Sequence, residues 1–257
     1  MNKKDTAYNE KHEFAIFVPQ LSLKLQSRGV GEKLLLVDEA FVHRITHVLR
    51  IKMGDTCIIF DQKIYSSVEI VEFSGKKSVT LLLRTITCAS QLFPTIVFLL
   101  PLLKRDDYEA AIYALTELGV NTIQPIFTQK SIRSWQIKDQ ERIQRIIIAA
   151  AEQSKNFAYP LINQPIPLTQ ALDIYHREPQ KIFFDALGDS LISVMDKIRQ
   201  VSAEKIILLI GPEGDLTAEE KFMVSEHKFL FSALTPTVIR AFQAASLGAG
   251  LVRSLIR

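Results

Sequence analysis

Residues 205–215 form the clearest candidate for a ligand-binding loop in this sequence. An apolar run, Lys205–Ile210, ends abruptly in Gly211-Pro-Glu-Gly214, and a predicted helix follows. Ligands of open α/β sheets sit beyond the carboxyl ends of the strands, at turns of this kind. The two glycines let a ligand approach the main chain, and their spacing fits neither a Walker loop nor a Gly-x-Gly-x-x-Gly fingerprint, which disfavours nucleotide phosphates. The alternative is a plain strand-to-helix turn.

Residues 234–240 form a second candidate loop, which ends at Arg240 where the last predicted helix begins. An arginine at the start of a helix opposes the helix dipole. Its placement is easier to explain if the guanidinium faces an anion, such as an RNA phosphate. Arg240 is therefore a candidate for binding phosphate or for stabilising negative charge on a reacting base. The alternative is an exposed surface arginine.

A third candidate group lies near the end of a long predicted helix. Glu152 and Gln153 follow an apolar stripe that includes Ile143 and Ile147. Acid and amide side chains at this place can hydrogen-bond the edge of a base or brace another loop. A solvated helix end is the alternative interpretation.

The N-terminal part of the sequence contains a basic segment. Within residues 43–52, basic side chains alternate with apolar ones, which predicts a basic face beside a core-facing one. An RNA-facing strip and a solvated surface are both compatible with this pattern. His43 and His47 also have the spacing of zinc ligands, but no group of cysteine or acidic residues completes such a site, so no metal is predicted.

The elements that position these residues differ between the two parts of the chain. From Phe14 to about Arg84, short β-branched runs separated by turn residues predict a small antiparallel barrel or sheet, interrupted by one helix over residues 39–49. From Pro94 onward, five strand-like apolar runs alternate with helical patterns. This alternation predicts an α/β domain with a largely parallel sheet and helices on both faces. We therefore predict a β domain at residues 1–90 and an α/β domain at 91–257.

The composition indicates a globular protein that can bury a core without disulfides or metals. Of its 257 residues, 47% are hydrophobic and 23% are charged, and the two cysteines lack metal or redox spacing. The longest apolar run, residues 92–103, contains two prolines and is too short to span a membrane, and the polar first residues do not resemble a signal peptide. These features predict a cytoplasmic protein. The net charge of +3 is too small to identify a nucleic-acid partner by itself.

Several short motifs, in order and at compatible spacing, resemble those of the RsmE family of the SPOUT superfamily. They are His47-Val-Leu-Arg50, Lys104, Glu117-Leu-Gly-Val120, Glu152-Gln-Ser154, Gly211-Pro-Glu-Gly214 and the residues from Leu234 to Arg240. The resemblance extends from about Phe14 to Leu255. It implies a SAM-dependent methyltransferase that methylates N3 of a uridine in small-subunit ribosomal RNA.

The same resemblance implies an architecture and a set of site residues. It implies an N-terminal PUA-like β-barrel that holds RNA, a SPOUT-type knotted parallel sheet, and a homodimer with SAM bound near the trefoil knot. Arg240 and Gln153 are the candidate catalytic residues, which would act by positioning and electrostatics. The implied SAM-binding residues are Leu209, Ile210, Gly211, Pro212, Glu213, Gly214, Leu234, Thr235, Val238 and Ile239. The candidate RNA-binding residues are Arg44, His47, Arg50, Lys52, Lys104 and Lys155.

The sequence departs from the family pattern at several places. An arginine that is usual near the first strand is missing around Ala15, Asn156 replaces an arginine, Thr235 replaces a glycine, and Phe242 replaces a glutamate. Two alternative functions therefore stay open. One is a degenerate family member that binds RNA or SAM without catalysis, and the other is an α/β enzyme that acts on a small metabolite.

Overall fold

The computed structural model of the protein describes residues 13–131, 135–199 and 204–256. The chain forms two compact units, Met1–Ser90 and Gln91–Arg257. The polar residues 1–12, on which the prediction of no signal peptide rests, lie outside the described residues.

The N-terminal unit is built around one six-stranded sheet. Its elements in chain order are β1 (Ala15–Phe17), α1 (Leu21–Lys24), β2 (Lys33–Val37), α2 (Glu39–His43), β3 (Thr56–Phe60), β4 (Ile64–Ser74), β5 (Ser78–Leu83) and β6 (Thr87–Cys88). The strand order is β1-β3-β4-β5-β2 with β6 beside β4, and neighbours are antiparallel except for β1 and β3. Burial alternates along β2 and β5, because one face of each strand packs on the core.

This sheet has two edges in the described part of the chain. β1 pairs with β3, β2 pairs with β5, and no described hydrogen-bonded pairing joins β1 to β2. A strand of three residues such as β1 offers few main-chain groups to a second neighbour. The predicted antiparallel sheet is therefore confirmed for most of its pairs, whereas the described residues do not show a closed barrel.

The helix predicted over residues 39–49 begins as expected and then widens. Asp38 caps α2, and its carboxylate accepts a hydrogen bond of 2.9 Å from the Phe41 N–H. Arg44–Val48 then form a π-helical turn, and Arg50 follows with a left-handed φ of 56°. Turns of the π type are frequent at functional sites, which makes this segment a candidate functional element.

The C-terminal unit alternates strands and helices. Its strands are β7 (Thr95–Pro101), β8 (Thr122–Phe127), β9 (Leu161–Ile162), β10 (Ile166–Pro167), β11 (Lys181–Ser190), β12 (Lys205–Ile210) and β13 (Leu230–Ala233). Its helices are α3 (Arg105–Glu117), α4 (Ile137–Ser154), α5 (Leu168–Ile174), α6 (Leu191–Arg199), α7 (Ala218–Glu226) and α8 (Ala241–Leu255). The five strands predicted from the apolar runs are all present.

These strands form one seven-stranded sheet, in which every hydrogen-bonded pair of the described residues is parallel. The order is β10-β8-β7-β12-β11-β13, with β9 beside β8. Val97, Leu99 and Leu209 pack against α5 and α7, and because side chains alternate along a strand, their buried neighbours face the other side of the sheet. There α3 packs against α4 and α8. The predicted parallel α/β sheet is therefore confirmed.

Arg253, near the end of α8, is a buried side chain that fixes this helix to the rest of the unit. Its guanidinium donates to the main-chain oxygens of Pro94 and Gly119, at 2.7 and 2.6 Å, and to Asn121 Oδ1 at 2.9 Å. Burial lowers the pKa of Arg253. The three acceptors offset the cost of burying this charge and join α8 to the segments before β7 and β8.

Three further observations bear on function. Within residues 13–131, 135–199 and 204–256, no helix has the length and apolar character needed to cross a membrane. The same ranges contain no cluster of three or more histidine, cysteine or acidic side chains arranged to hold a metal ion. Burial raises the pKa of the Cys57 thiol to about 12, which makes it a poor nucleophile.

Candidate functional site

The carboxyl ends of β7, β8, β11, β12 and β13 lie at one edge of the C-terminal sheet, the carboxyl edge, because these strands are parallel. Both candidate loops leave the sheet at this edge. They are the glycine loop (residues 211–215), which follows β12, and the arginine loop (residues 234–240), which follows β13. The carboxyl edge is also where open parallel sheets bind their ligands.

The glycine loop is a tight turn that neighbouring loops brace from both sides. A main-chain hydrogen bond of 2.8 Å closes the turn at Asp215, which has a left-handed φ of 58°. Glu213 Oε1 accepts a hydrogen bond of 2.8 Å from the Lys104 N–H, and Lys130 Nζ donates to the Gly214 oxygen at 2.6 Å. The segments that follow β7 and β8 therefore help to fix the conformation of this loop.

The residues around the glycine loop can reach a ligand mainly through their main chain. Leu209 and Ile210 are only 0% and 1% exposed, and the Pro212 side chain is buried as well. Gly211 has no room for a side chain, because a methyl group on its Cα would lie 2.7 Å from Asp215 Oδ1. The main chain is therefore the part of these residues that a ligand could reach.

The β11 excursion (residues 185–188) adjoins the glycine loop and is not among the predicted site residues. The register of β11 against β13 shifts between Phe184 and Asp189, which both face Ser232, so the residues between them leave the sheet. Leu187 in this excursion is 93% exposed. The sequence signal for it is the Ala-Leu-Gly tripeptide that directly follows the predicted strand.

Lys221 of α7 joins the β11 excursion to the glycine loop. Its Nζ lies 2.6 Å from Asp185 Oδ2 and 2.6 Å from Asp215 Oδ2. The other oxygen of Asp185 accepts a hydrogen bond of 2.8 Å from the Leu187 N–H, which closes the base of the excursion. Partial burial disfavours the ammonium charge, but the hydrogen bonds to the two carboxylates outweigh it, and the pKa of Lys221 lies above its ordinary value.

The arginine loop leads from β13 into α8. Thr235 Oγ1 donates to the Thr237 oxygen at 2.6 Å, and Val238 is 86% exposed. The Arg240 N–H donates to Gln243 Oε1 at 3.3 Å, so the Gln243 side chain caps α8, while the Arg240 side chain is exposed at the carboxyl edge. The other predicted cofactor residues of this loop are both half-buried, Leu234 and Ile239.

Gln153 lies at the opposite edge of the sheet from Arg240. Where α4 ends, the Asn156 side chain donates to the Thr116 oxygen near the end of α3 at 2.9 Å, and Arg253 of α8 is fixed in the same region. The 15 residues of α8 extend for about 22 Å, since a helix rises about 1.5 Å per residue. The structure therefore does not bring the two predicted catalytic residues together within one chain.

Other charged candidates are divided between the same two edges. Glu213 is at the carboxyl edge, where it accepts a main-chain N–H. Glu152 is at the opposite edge, where burial and then the charges of Glu117 and Glu152 raise the pKa of Tyr113. Lys155 is exposed next to it, with a left-handed φ of 56° that ends α4. Among these groups only Glu213 belongs to a candidate loop of the carboxyl edge.

The predicted RNA contacts of the N-terminal unit lie on and directly after its π-helical turn. The exposed rings of His43 and His47 are stacked, with centroids 4.7 Å apart and planes 10° from parallel. Arg50 and Lys52 are exposed, and Arg44 is half-buried. The structure thus places stacked imidazoles beside basic side chains on one short surface segment.

Comparisons with known proteins agree on one family and one fold. A model of the RNA methyltransferase domain matches residues 91–252. The chain is 26% identical to the ribosomal RNA small subunit methyltransferase E of Rickettsia conorii, over 88% of this chain and 91% of that protein. It is 25% identical to the protein of that name from Synechocystis sp., over 93% of this chain and 79% of that protein.

Two solved structures share the fold over nearly the whole chain. A ribosomal RNA small subunit methyltransferase E from Neisseria gonorrhoeae, bound to S-adenosyl methionine, has a TM-score of 0.79 at 23% identity, covering 95% of this chain and 98% of that one. A structure from Legionella pneumophila, solved with bound SAM, has a TM-score of 0.78 at 24% identity, with the same coverage. The architecture of both units is therefore shared with these structures.

Proposed function

This chain belongs to the RNA methyltransferase domain family, and within it to the RsmE family, and we propose that it transfers a methyl group from SAM to N3 of a uridine in small-subunit ribosomal RNA. The main support is that the family model matches residues 91–252, the unit whose carboxyl edge carries the glycine and arginine loops. The knotted path of the chain and its cytoplasmic location remain predictions.

The groups at the carboxyl edge suit a cofactor with a flat base and hydrogen-bonding edges. The glycine loop presents main-chain groups at the exposed Gly214, and Leu187 and Val238 present exposed apolar side chains. We assign the binding of SAM to the main chain of residues 209–214 and to the arginine loop. When bound, SAM supplies an electrophilic methyl group, and the protein's task is to align the acceptor base with it.

Catalysis by this site relies on positioning and electrostatics. Holding two reactants in line can contribute about 7–11 kcal/mol, and holding the uridine out of its stack costs a few kcal/mol. Arg240 is exposed at the carboxyl edge, where it can bind an RNA phosphate or stabilise negative charge on the uracil oxygens as the N3 proton leaves. The glycine loop contains two acids, Glu213 and Asp215, but one Glu213 oxygen accepts the Lys104 N–H and the Asp215 carboxylate contacts Lys221 and the Leu216 N–H.

The separation of Arg240 from Gln153 supports a homodimer. If both residues act on one substrate, they must come from different copies, because they lie at opposite edges of the sheet in a single chain. The carboxyl edge also exposes apolar side chains that a second copy would cover: Leu187, Ile192 and Val238. We propose a twofold dimer in which Gln153 of one copy faces Arg240 of the other.

The N-terminal unit is proposed to hold the RNA as a PUA-like domain. Stacked rings offer a platform for an unpaired base, and arginine and lysine side chains neutralise phosphates. These two features occur together at the π-helical turn, in His43 and His47 and in the basic residues Arg44, Arg50 and Lys52. Lys104 and Lys155 of the other unit are the remaining candidates for phosphate contacts.

The proposed function is tested by transfer of tritium from labelled SAM into small ribosomal subunits from cells that lack this protein. We expect label in N3-methyluridine, identified by mass spectrometry, and an RNA affinity that falls steeply as salt concentration rises. Label in another nucleoside would contradict the uridine assignment alone. Binding of SAM without transfer would favour a degenerate family member, and the absence of both, with no salt-dependent RNA binding, would favour a small-metabolite enzyme.

Co-expression of two impaired variants tests the shared site. Arg240→Ala is expected to lower kcat by about 100- to 1,000-fold through lost charge stabilisation, and Gln153→Ala to lower it by about 10- to 100-fold through misplacement of the base. If the site is shared, random assortment gives half mixed dimers, each with one intact site, and recovers about a quarter of wild-type activity. Full activity of Arg240→Ala would refute its role, and no recovery on co-expression would refute the shared site.

A further inference from the structure

Lys221 stands out among the charged residues of the C-terminal unit because it binds two carboxylates from different loops. Asp185 is at the base of the β11 excursion, and its side chain is only 5% exposed. Asp215 ends the glycine loop. The side chain of Lys221 is 27% exposed, and its two 2.6 Å contacts join the β11 excursion to the loop that follows the neighbouring strand, β12. None of these three residues is among the site residues predicted from the sequence.

Each carboxylate that Lys221 binds also fixes the main chain of its own loop. Asp185 Oδ1 accepts the Leu187 N–H at 2.8 Å and so holds the excursion closed. Asp215 Oδ1 accepts the Leu216 N–H at 2.7 Å and lies 2.7 Å from the position that a Cβ atom on Gly211 would take. A change in the position of Lys221 is therefore transmitted to the main chain of both loops.

Resting on the proposed function, we infer that Lys221 is a positioning residue for the cofactor, which holds the β11 excursion and the glycine loop at a fixed separation. It contacts the two loops and not the reacting atoms. Without the ammonium group, Asp185 and Asp215 would be two neighbouring carboxylates with no cation between them, and their repulsion would widen the gap. A cleft that binds its ligand through main-chain groups tolerates little change in this separation.

The test is SAM binding by calorimetry with Lys221→Met, which keeps the length of the side chain and removes its charge. We expect the Kd for SAM to rise by about 10- to 100-fold, because displacements of about 1 Å have effects of that size. Lys221→Arg, which can contact two carboxylates, should restore most of the affinity. The matched control is Lys205→Met, which removes a 2.8 Å ion pair with Glu178 at the opposite edge of the sheet and should leave the Kd within about twofold.

The measured parameter that changes distinguishes a loss of folded protein from a misplacement of the two loops. Loss of folded protein lowers the number of binding sites and kcat but leaves the Kd of the remaining sites unchanged, whereas misplaced loops raise the Kd and KM for SAM and leave the KM for RNA unchanged. If Lys221→Met fails to fold, Asp215→Asn replaces it, with the same expected direction. Wild-type affinity in these variants would overturn the inference alone, and failure of the wild-type protein to bind SAM would overturn the proposed function as well.

Discussion

Replacing Gly211 by alanine is expected to weaken SAM binding by about 100-fold while the chain stays folded. The added methyl group would lie 2.7 Å from Asp215 Oδ1 and 3.3 Å from Asp215 Cα and from Leu216 N. The 2.7 Å contact is to a side-chain oxygen, but the Asp215 carboxylate is held by the Leu216 N–H at 2.7 Å and by Lys221 at 2.6 Å, so rotating it away would break both contacts. The two main-chain atoms at 3.3 Å must also move by a few tenths of an ångström. The glycine loop must shift instead, and with it the main-chain groups that are proposed to contact the cofactor.

Gly250→Ala is the matched control for this change. In α8 the added methyl group would meet only the Leu118 side chain, at 3.3 and 3.7 Å, and alanine favours a helix over glycine by about 1 kcal/mol. We expect its Kd for SAM, measured by calorimetry, to equal that of the wild-type protein. Equal affinities of Gly211→Ala and wild type would show that the glycine loop is not part of the cofactor site.

Arg253→Met is expected to lower the free energy of unfolding by about 3–5 kcal/mol, the largest loss of stability that we predict, because each buried acceptor left without a donor costs about 1–3 kcal/mol. Methionine fills much of the same space but donates no hydrogen bond. The main-chain oxygens of Pro94 and Gly119 would then lose their partner in the interior, and Asn121 Oδ1 would keep only the Ile96 N–H. Urea denaturation followed by circular dichroism would measure the effect as a lower midpoint at an unchanged m-value.

Arg199→Met is the control for Arg253→Met. It shows whether the loss of stability depends on burial of the arginine or only on the number of its hydrogen bonds. The Arg199 guanidinium donates to the Leu255 oxygen at 2.6 and 3.1 Å, but its side chain is 50% exposed and water replaces the lost contacts. We expect a loss of about 1 kcal/mol or less. Similar losses for the two arginine variants would contradict the view that Arg253 stabilises the unit by satisfying buried acceptors.

The sequence pattern was sufficient for the C-terminal architecture because its signals are local. Continuous apolar runs such as Lys205–Ile210 predict strands buried on both faces, and Thr217 with Glu220 predicts the reciprocal cap that begins α7, with hydrogen bonds of 2.9 and 3.2 Å. The glycine and arginine loops were located in the same way, as breaks where a predicted strand ends. In the N-terminal unit, the strands were predicted but not whether their sheet closes, since closure depends on pairing between distant edges.

The rest of the site depends on contacts that no local pattern contains. Lys221 and Asp185 are 36 residues apart in the sequence. They come into contact because β11 and β12 pair in parallel. The distance between Gln153 and Arg240 could not be predicted either, because a helical sequence pattern does not give the direction in which α4 and α8 run across the sheet. Asn156, which departs from the family pattern, donates to the Thr116 oxygen.

The contacts of Arg253 also bear on how the C-terminal unit folds and unfolds. Its three acceptors lie 159, 134 and 132 positions away along the chain. Contacts between such distant positions cost the most loop-closure entropy and tend to form late in folding. An interaction that is absent from the folding transition state slows unfolding without accelerating folding. We therefore expect Arg253 to lengthen the lifetime of the folded state, so that Arg253→Met raises the unfolding rate more than it lowers the folding rate, measured by stopped-flow dilution from urea.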